Sequence, residues 1–256
     1  MNERTRQALI AINRRFYDHH APAWDSSRQR GWPGWERLGP HLDGLGSALS
    51  VLDIGCGNGR WARWWLEKGR RLGRYRGLDA SAELLELARQ QLANEDRAGI
   101  LELLCRDVVA DGLGELEEAE SRFDAALLMA VLHHVPGRRE RQRLLADAAQ
   151  AVRRGGILAA SLWRFDRAPN WQRKQLPWTS EAVAGRIDPR DLEDGDHLLT
   201  FAGDPQHPRY CHRIGEAETE AMVEAVTALA GWQLADRYDA DGRSGADNHY
   251  LVFTRV

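Results

Sequence analysis

The sequence predicts an α/β protein: a mostly parallel sheet of seven strands with helices on both faces, closed by an antiparallel C-terminal hairpin. Three observations carry this. From residue 51 short apolar β-type runs alternate with amphipathic helical runs, the pattern of a parallel sheet covered on both sides. The first run, Val51-Leu52-Asp53-Ile54, passes straight into Gly55-Cys56-Gly57-Asn58-Gly59 and then a helical pattern. The last two β-type runs are joined by the turn-rich stretch Asp239 to Asn248, which suits antiparallel neighbours, whereas a nicotinamide-binding domain would continue with parallel units.

In chain order, strands are expected at Ser50–Ile54, Tyr75–Leu78, Ile100–Cys105, Phe123–Met129 and Gly156–Leu162, with helices near Arg60–Lys68, Ala82–Ala93 and Arg139–Arg153. The acidic segment 111–120 reads as a short helix. After Trp163 the rhythm breaks for some fifty residues rich in Pro, Trp, Asp and Arg, which predicts an irregular insertion of the kind that carries function. It returns as a helix near Glu216–Leu229 and strands near Trp232–Tyr238 and Tyr250–Thr254. Residues 1–45, a basic helix followed by Trp24, Trp32 and Trp35 around Pro22 and Pro33, have no place in the sheet and are expected to cover the ligand as a lid.

Composition narrows the function classes. With 43% hydrophobic and 29% charged residues the chain suits one globular domain, and no apolar stretch approaches the roughly 20 residues that span a bilayer. The N-terminus lacks a signal-peptide core, and Cys56, Cys105 and Cys211 are too few and scattered for a disulfide framework or a zinc site, so a cytoplasmic protein without a metal is expected. A net charge of −3 argues against attachment to nucleic acid by overall charge, although residues 60–76 and 138–154 are locally basic and read as solvated helix faces. Arginine outnumbers lysine 33 to 2, so a single arginine carries little weight by itself.

The glycine-rich turn lets a ligand approach the backbone, because glycine tolerates the turn's dihedrals and leaves no side chain in the way. The G-x-G-x-G spacing and Asp53, two residues before the first glycine, suit a cationic ligand group better than a pyrophosphate. Asp53 would sit near an ammonium. Asp79, closing the next strand in Gly77-Leu78-Asp79-Ala80-Ser81, can accept from both ribose hydroxyls, or cap the following helix. Asp107 and Val108, after the third strand, could meet an adenine amino group and ring, or simply form a turn. Gly55, Cys56, Gly57, Gly59, Ala80 and Met129 complete the expected ligand-binding set.

Together these residues resemble the class I S-adenosylmethionine-dependent methyltransferases and their Rossmann-like fold. Further pieces are similar to one branch, the tRNA wobble-uridine methyltransferases that esterify 5-carboxymethyluridine: Phe16-Tyr17-Asp18 with Trp24, Ser26, Ser27, Arg28 and Gly31-Trp32-Pro33; Ala130 to Val135 with Arg138 and Arg139; Gly155-Gly156 and Trp163; Gly195-Asp196-His197; and Pro208 to His212. Cys211 stands where that branch carries an aromatic residue, and its Leu-Pro-Phe after the third strand is absent from Val109 to Leu113. The resemblance implies S-adenosylmethionine as cofactor and a single domain over 1–256, divided into a lid (1–45), a cofactor-binding core (46–163), a substrate-recognition insertion (164–214) and a final helix with two strands (215–256). It also implies a tRNA partner, with or without the small zinc-binding activator used by eukaryotic members.

By the same resemblance Arg28, His133 and Arg209 surround the acceptor. A carboxylate acceptor, ionised at neutral pH, needs positioning rather than a strong base; the two arginines would grip it while His133 orients it, titrating near its ordinary value of about 6.5. His134 is expected to face away, Trp61, Trp64 and Trp65 to lie in the core, and Trp171 and Trp178 to be candidates for stacking on a nucleobase. The alternatives are a small-molecule O- or carboxyl-methyltransferase on the same fold and a non-catalytic cofactor-binding subunit.

Overall fold

A computed structural model of the chain describes residues 1–93, 95, 99–114, 122–180, 183 and 185–256. In chain order its elements are α1 (Glu3–Ser26), α2 (Pro33–Asp43), β1 (Leu49–Ile54), α3 (Arg60–Glu67), β2 (Leu72–Asp79), α4 (Ala82–Leu92), β3 (Leu101–Cys105), β4 (Phe123–Met129), α5 (Arg138–Gln150), β5 (Val152–Trp163), β6 (Gln175–Leu176), β7 (Asp196–Phe201), β8 (Asp204–His212), α6 (Glu216–Thr227), β9 (Trp232–Ala240) and β10 (Asn248–Arg255). The expected short helix in 111–120 falls largely outside the described residues.

Seven strands form one sheet in the order β3-β2-β1-β4-β5-β10-β9. The first five are parallel, and β10 runs antiparallel to both β5 and β9, the expected closing hairpin. Alternation along the strands divides the core in two. Ala126, Leu128, Leu158, Ala160, Leu251 and Phe253 meet Leu144 and Leu145 of α5 and Met222 and Val226 of α6. Their neighbours Ala125, Leu127, Ala159 and Val252 meet Leu85 of α4 and a tryptophan wall from α2 and α3, with Trp61, Trp64 and Trp65 all buried as expected. Trp35, Leu38 and Leu42 of α2 are fully part of this wall, and the backbone of Gly34 is held by Asp241 and the Tyr238 hydroxyl. So α2 is chiefly core, although its Trp35 also lines the cavity described below, to which α1 and the connector after it contribute Asn13, Tyr17, Trp24 and Arg28.

The described part of residues 164–195 is mostly short 3₁₀ turns and loop, as expected, but the segment is not irregular throughout. Within it β6, β7 and β8 form a second, antiparallel sheet, which shares a small core with α1 through Leu9, Ile12, Leu198 and Tyr210. Prolines hid β8 in the sequence, and Pro205 and Pro208 are tolerated there because β8 is an edge strand. The two basic stretches behave as ordinary surface with exceptions: Arg70 pairs with Asp43 and Arg76 with Glu102, while Arg141 is fully buried between Glu193 and Glu218. No helix among the described residues is long and apolar enough to cross a membrane.

Candidate active site

A cavity of about 460 Å³ opens beyond the C-terminal ends of β1, β2 and β4, where the strand order reverses and open α/β sheets bind their ligands. The floor is the turn after β1. Gly55 and Cys56 donate to the Leu78 carbonyl, at 2.7 and 3.0 Å, which ties the turn to β2. Gly57 has a φ of +55°, and a side chain added there would meet no protein atom within 4 Å; it would project into the cavity instead. That bare backbone fits a cofactor in close approach. Gly59 does not touch the cavity. Its φ is +70°, it starts α3, and an added Cβ would strike Leu92 of α4 at 2.8 Å, so helix packing demands the glycine.

Asp53, Asp79, Ala80, Asp107, Val108 and Met129 all line the cavity with Gly55, Cys56 and Gly57. The buried Asp53 accepts from the Tyr75 hydroxyl at 2.7 Å. Burial pushes its pKa up to about 7 against the pull of Tyr75, with the charge of Asp79 adding to the rise. Asp79 accepts from the amides of Gly57 (2.8 Å) and Ser81 (2.9 Å), and burial raises its pKa while these amides oppose the rise. The helix cap is Ser81, whose hydroxyl accepts from Leu84 at 3.3 Å, which leaves Asp79 on the cavity wall. Asp107 is both a turn residue, accepting from the amides of Val109 and Ala110, and a lining residue. If the cavity takes the cofactor that the sequence resemblance implies, replacing Asp79 by alanine is expected to weaken binding of its demethylated product by about 1–3 kcal/mol, the cost of losing charge-assisted hydrogen bonds. Calorimetry giving unchanged affinity would confine Asp79 to bracing the loop.

The other lining residues form a contiguous group. The Arg28 guanidinium lies 3.3 Å from the Trp24 ring centroid, and that of Arg209 stands 5.0 Å from the same ring and 4.5 Å from Trp163. Arg209 is 5% exposed with its Nε unpartnered, and among the described residues no carboxylate pairs with either arginine. Burial first, then the neighbouring charge of Arg209, lowers the Arg28 pKa to about 9, so it stays protonated at neutral pH. His133 is buried, with an unpartnered Nδ1 and its ring 5.3 Å from Trp163.

The chain reaches His133 through Ala130, a non-glycine residue at φ +59° whose amide donates to Ser161, followed by a 3₁₀ turn at Leu132–His134. Because this segment is a turn rather than extended, His133 and His134 lie together, their rings 4.1 Å apart, and His134 also lines the cavity. The expectation that it faces away was based on strand alternation, which does not apply there. His134 Nδ1 meets the Tyr210 carbonyl at 3.0 Å and Nε2 meets the Tyr17 hydroxyl at 2.8 Å. Donation to the carbonyl requires the proton on Nδ1, so Nε2 accepts from Tyr17. Burial drives the pKa of His134 to about 3, and that of His133 well below the ordinary imidazole value, aided in His133 by His134 and Arg209. His133 therefore does not titrate near 6.5.

Two tryptophans do not reach the cavity. Trp171 packs on Phe165 and His197, and Trp178 packs on the core shared by α1 and β7. Lining residues that the sequence does not single out for the site include Arg60 and Asp241. Arg60, stacked on Trp32 at 4.5 Å, looked like one more arginine of a basic helix. Asp241, at φ +70°, accepts from Gly34, Asn248 and Tyr250, and its Asp-Gly turn signature was read only as a turn.

A strand-ordered α/β sheet with this turn, this acidic pair and this cavity defines a nucleoside-cofactor-binding enzyme fold. The family described as "Methyltransferase domain" matches residues 52–160. A candidate methyltransferase of Encephalitozoon cuniculi is 31% identical over 223 residues, 87% of each chain. The chain belongs to the class I S-adenosylmethionine-dependent methyltransferases, and S-adenosylmethionine is its cofactor. A tRNA (carboxymethyluridine(34)-5-O)-methyltransferase of Arabidopsis thaliana is 29% identical over 158 residues, 60% of this chain and 33% of that protein. One of the same name from Schizosaccharomyces pombe is 25% identical over 235 residues, 88% of this chain and 90% of that one. The chain thus spans about a third of the length of the plant relative. The crystal structure of a methyltransferase of Methanosarcina mazei shares the fold at a TM-score of 0.59 and 18% identity, covering 88% of this chain and 98% of that one.

Proposed function

We propose that this methyltransferase esterifies a carboxylate, the carboxymethyl group of a modified wobble uridine in tRNA, in the reducing cytoplasm where Cys56, Cys105 and Cys211 stand unpaired. One observation carries the reading: two guanidiniums, Arg28 and Arg209, share an aromatic wall and have no carboxylate partner among the described residues. Like charges held together in a partly buried place are costly unless an anion joins them. The names of the Arabidopsis and fission-yeast relatives point to the same acceptor.

The chemistry that bound S-adenosylmethionine supplies is an electrophilic methyl group on a sulfonium centre. Asp53 would hold the ammonium, Asp79 the ribose, and Asp107 with the Val108 backbone the adenine, with the bare backbone of Gly57 open to the cavity beside them. Arg28 and Arg209 clamp the acceptor carboxylate, His133 fixes its orientation through a ring nitrogen, and Trp24 and Trp163 exclude water. No proton has to be removed, which agrees with two histidines whose pKa values are too low for an effective base.

The test compares tRNA carrying 5-carboxymethyluridine, the same tRNA without the carboxymethyl group, and free small carboxylic acids, with a labelled methyl donor. Base-labile label on the first alone is the expected result. Label on the unmodified tRNA refutes ester formation, and label on free acids alone keeps the chemistry but replaces the substrate. Running the chain by itself also shows whether an activator subunit is needed.

A further inference from the structure

Three groups of metal-ligating side chains converge among the described residues: His133, His134 and Cys211; Glu193, Asp196 and His212; and His19, His20 and Asp204. In the first, His134 already uses both ring nitrogens. In the second, His212 lies between Asp196 and Glu218, and Arg141 fills the same network. The third differs. His20 is 7% exposed, and its Nε2 has no hydrogen-bond partner although it points at Asp204 Oδ2, 3.5 Å away. His19 Nε2 stands 3.6 Å from the same oxygen. Both separations are long for a hydrogen bond. They lie just outside the roughly 3.3–3.4 Å between neighbouring donors of a tetrahedral zinc ion with ligand bonds near 2.0–2.1 Å, so only a small approach would close the site on an ion.

We propose that His19, His20 and Asp204 bind a divalent transition metal, zinc by its donor set, that clasps α1 to the β7–β8 hairpin. Two imidazoles and one carboxylate suit zinc, cobalt or nickel, whereas calcium and magnesium take oxygen donors. The site is built from both sides. Asp204 follows a two-residue hairpin turn in which Ala202 and Gly203 both have positive φ, at 52° and 79°, and its Oδ1 accepts from the Gln206 amide. His207 Nδ1 holds Oδ2 at 2.9 Å, and its ring stacks on His19 with centroids 3.6 Å apart, the kind of support from outside that fixes ligands in metal sites. His19 is half exposed, which leaves its side of the site open to solvent as a fourth ligand.

The clasp adjoins the acceptor wall. The His20 ring packs on Phe16 and Phe201; Phe16 underlies Arg209, and Phe201 contacts Trp24. A metal here would therefore lock the α1 segment that carries Tyr17 and Trp24 onto the strand that carries Arg209. The inference does not depend on the acceptor proposed above.

The experiment uses the whole chain without an affinity tag, stripped with a chelator and titrated with zinc against a fluorescent competitor. One equivalent per chain is expected, with a rise in the thermal unfolding midpoint on adding zinc. His19→Gln changes an exposed side chain and Asp204→Asn a half-buried one that can still accept from the Gln206 amide, and each should weaken binding by about tenfold or more. Cys211→Ala should keep the zinc. Substoichiometric binding, binding unchanged in Asp204→Asn, or binding lost only in Cys211→Ala would each overturn the assignment.

Discussion

Arg209→Ala is expected to lower kcat/KM for the acceptor by about 10²-fold, ~3 kcal/mol, the scale of a charge-assisted contact in a desolvated site. Affinity for S-adenosylhomocysteine should stay within about threefold, since Arg209 lies against Trp24, Trp163 and Phe16 rather than the glycine turn. Arg28→Ala should give a smaller loss, because that side chain is only half buried and bonds Ser27. Arg209→Lys should recover only part of the rate: it keeps the charge but loses the planar fork that matches a carboxylate. Folding is a separate concern, and the thermal midpoint checks it. Removing one of two unpaired neighbouring cations also relieves repulsion, which offsets part of the lost packing. If Arg28→Ala abolishes cofactor binding, Arg28 holds the methionine carboxylate and the division of the cavity must be redrawn.

The fold was legible because its signal is local. A parallel strand buried on both faces reads as a continuous apolar run, and Phe123–Met129 was placed to the residue. The run at Gly156–Leu162 was found but lengthens in the structure to Val152–Trp163, since Arg153 and Arg154 at its start point outward and break the apolar pattern. What escaped depends on tertiary partners. The insertion forms a sheet because α1 supplies the other half of its core, and nothing within 164–214 announces that. The same holds for α2: only the third dimension shows that Trp35 and Leu38 share a core with Trp61 and Trp65.

The site divides along the same line. The turn from Asp53 to Gly57 and the strand-end Asp79, near in sequence, line one cavity, which Arg28, His133 and Arg209 also line although they come from three distant segments. Gly59 belongs to the motif but serves helix packing, and Trp171 and Trp178, candidates by composition, pack within the protein. The His19, His20 and Asp204 group was invisible for a different reason. Cysteine spacing carries no trace of it, and these donors lie far apart in the chain and meet only because α1 packs on β8.

The pH dependence of the reaction should separate the two halves of the cavity. With both substrates saturating, transfer is expected to be flat from about pH 6 to 8. The acceptor carboxylate, with an ordinary pKa of about 4, remains ionised throughout. His133 and His134 remain neutral because burial holds them below this range, and Arg28, lowered to about 9, remains a cation. Limiting cofactor should behave differently. In the ligand-free cavity Asp53 has a pKa near 7, raised mainly by burial, so it is largely protonated at pH 6 and ionised at pH 8. An ammonium binds the ionised form, so binding below pH 7 expels a proton, and cofactor affinity should fall as pH drops, approaching tenfold per pH unit. Calorimetry in buffers of different ionisation enthalpy detects that proton directly. Asp53→Asn should weaken the cofactor at pH 8 and abolish the slope, whereas His133→Asn should lower the rate without changing either profile. A saturated rate that instead falls below pH 7, and is flattened by His133→Asn, would mean that His133 works as a base. An acceptor needing deprotonation would then replace the carboxylate.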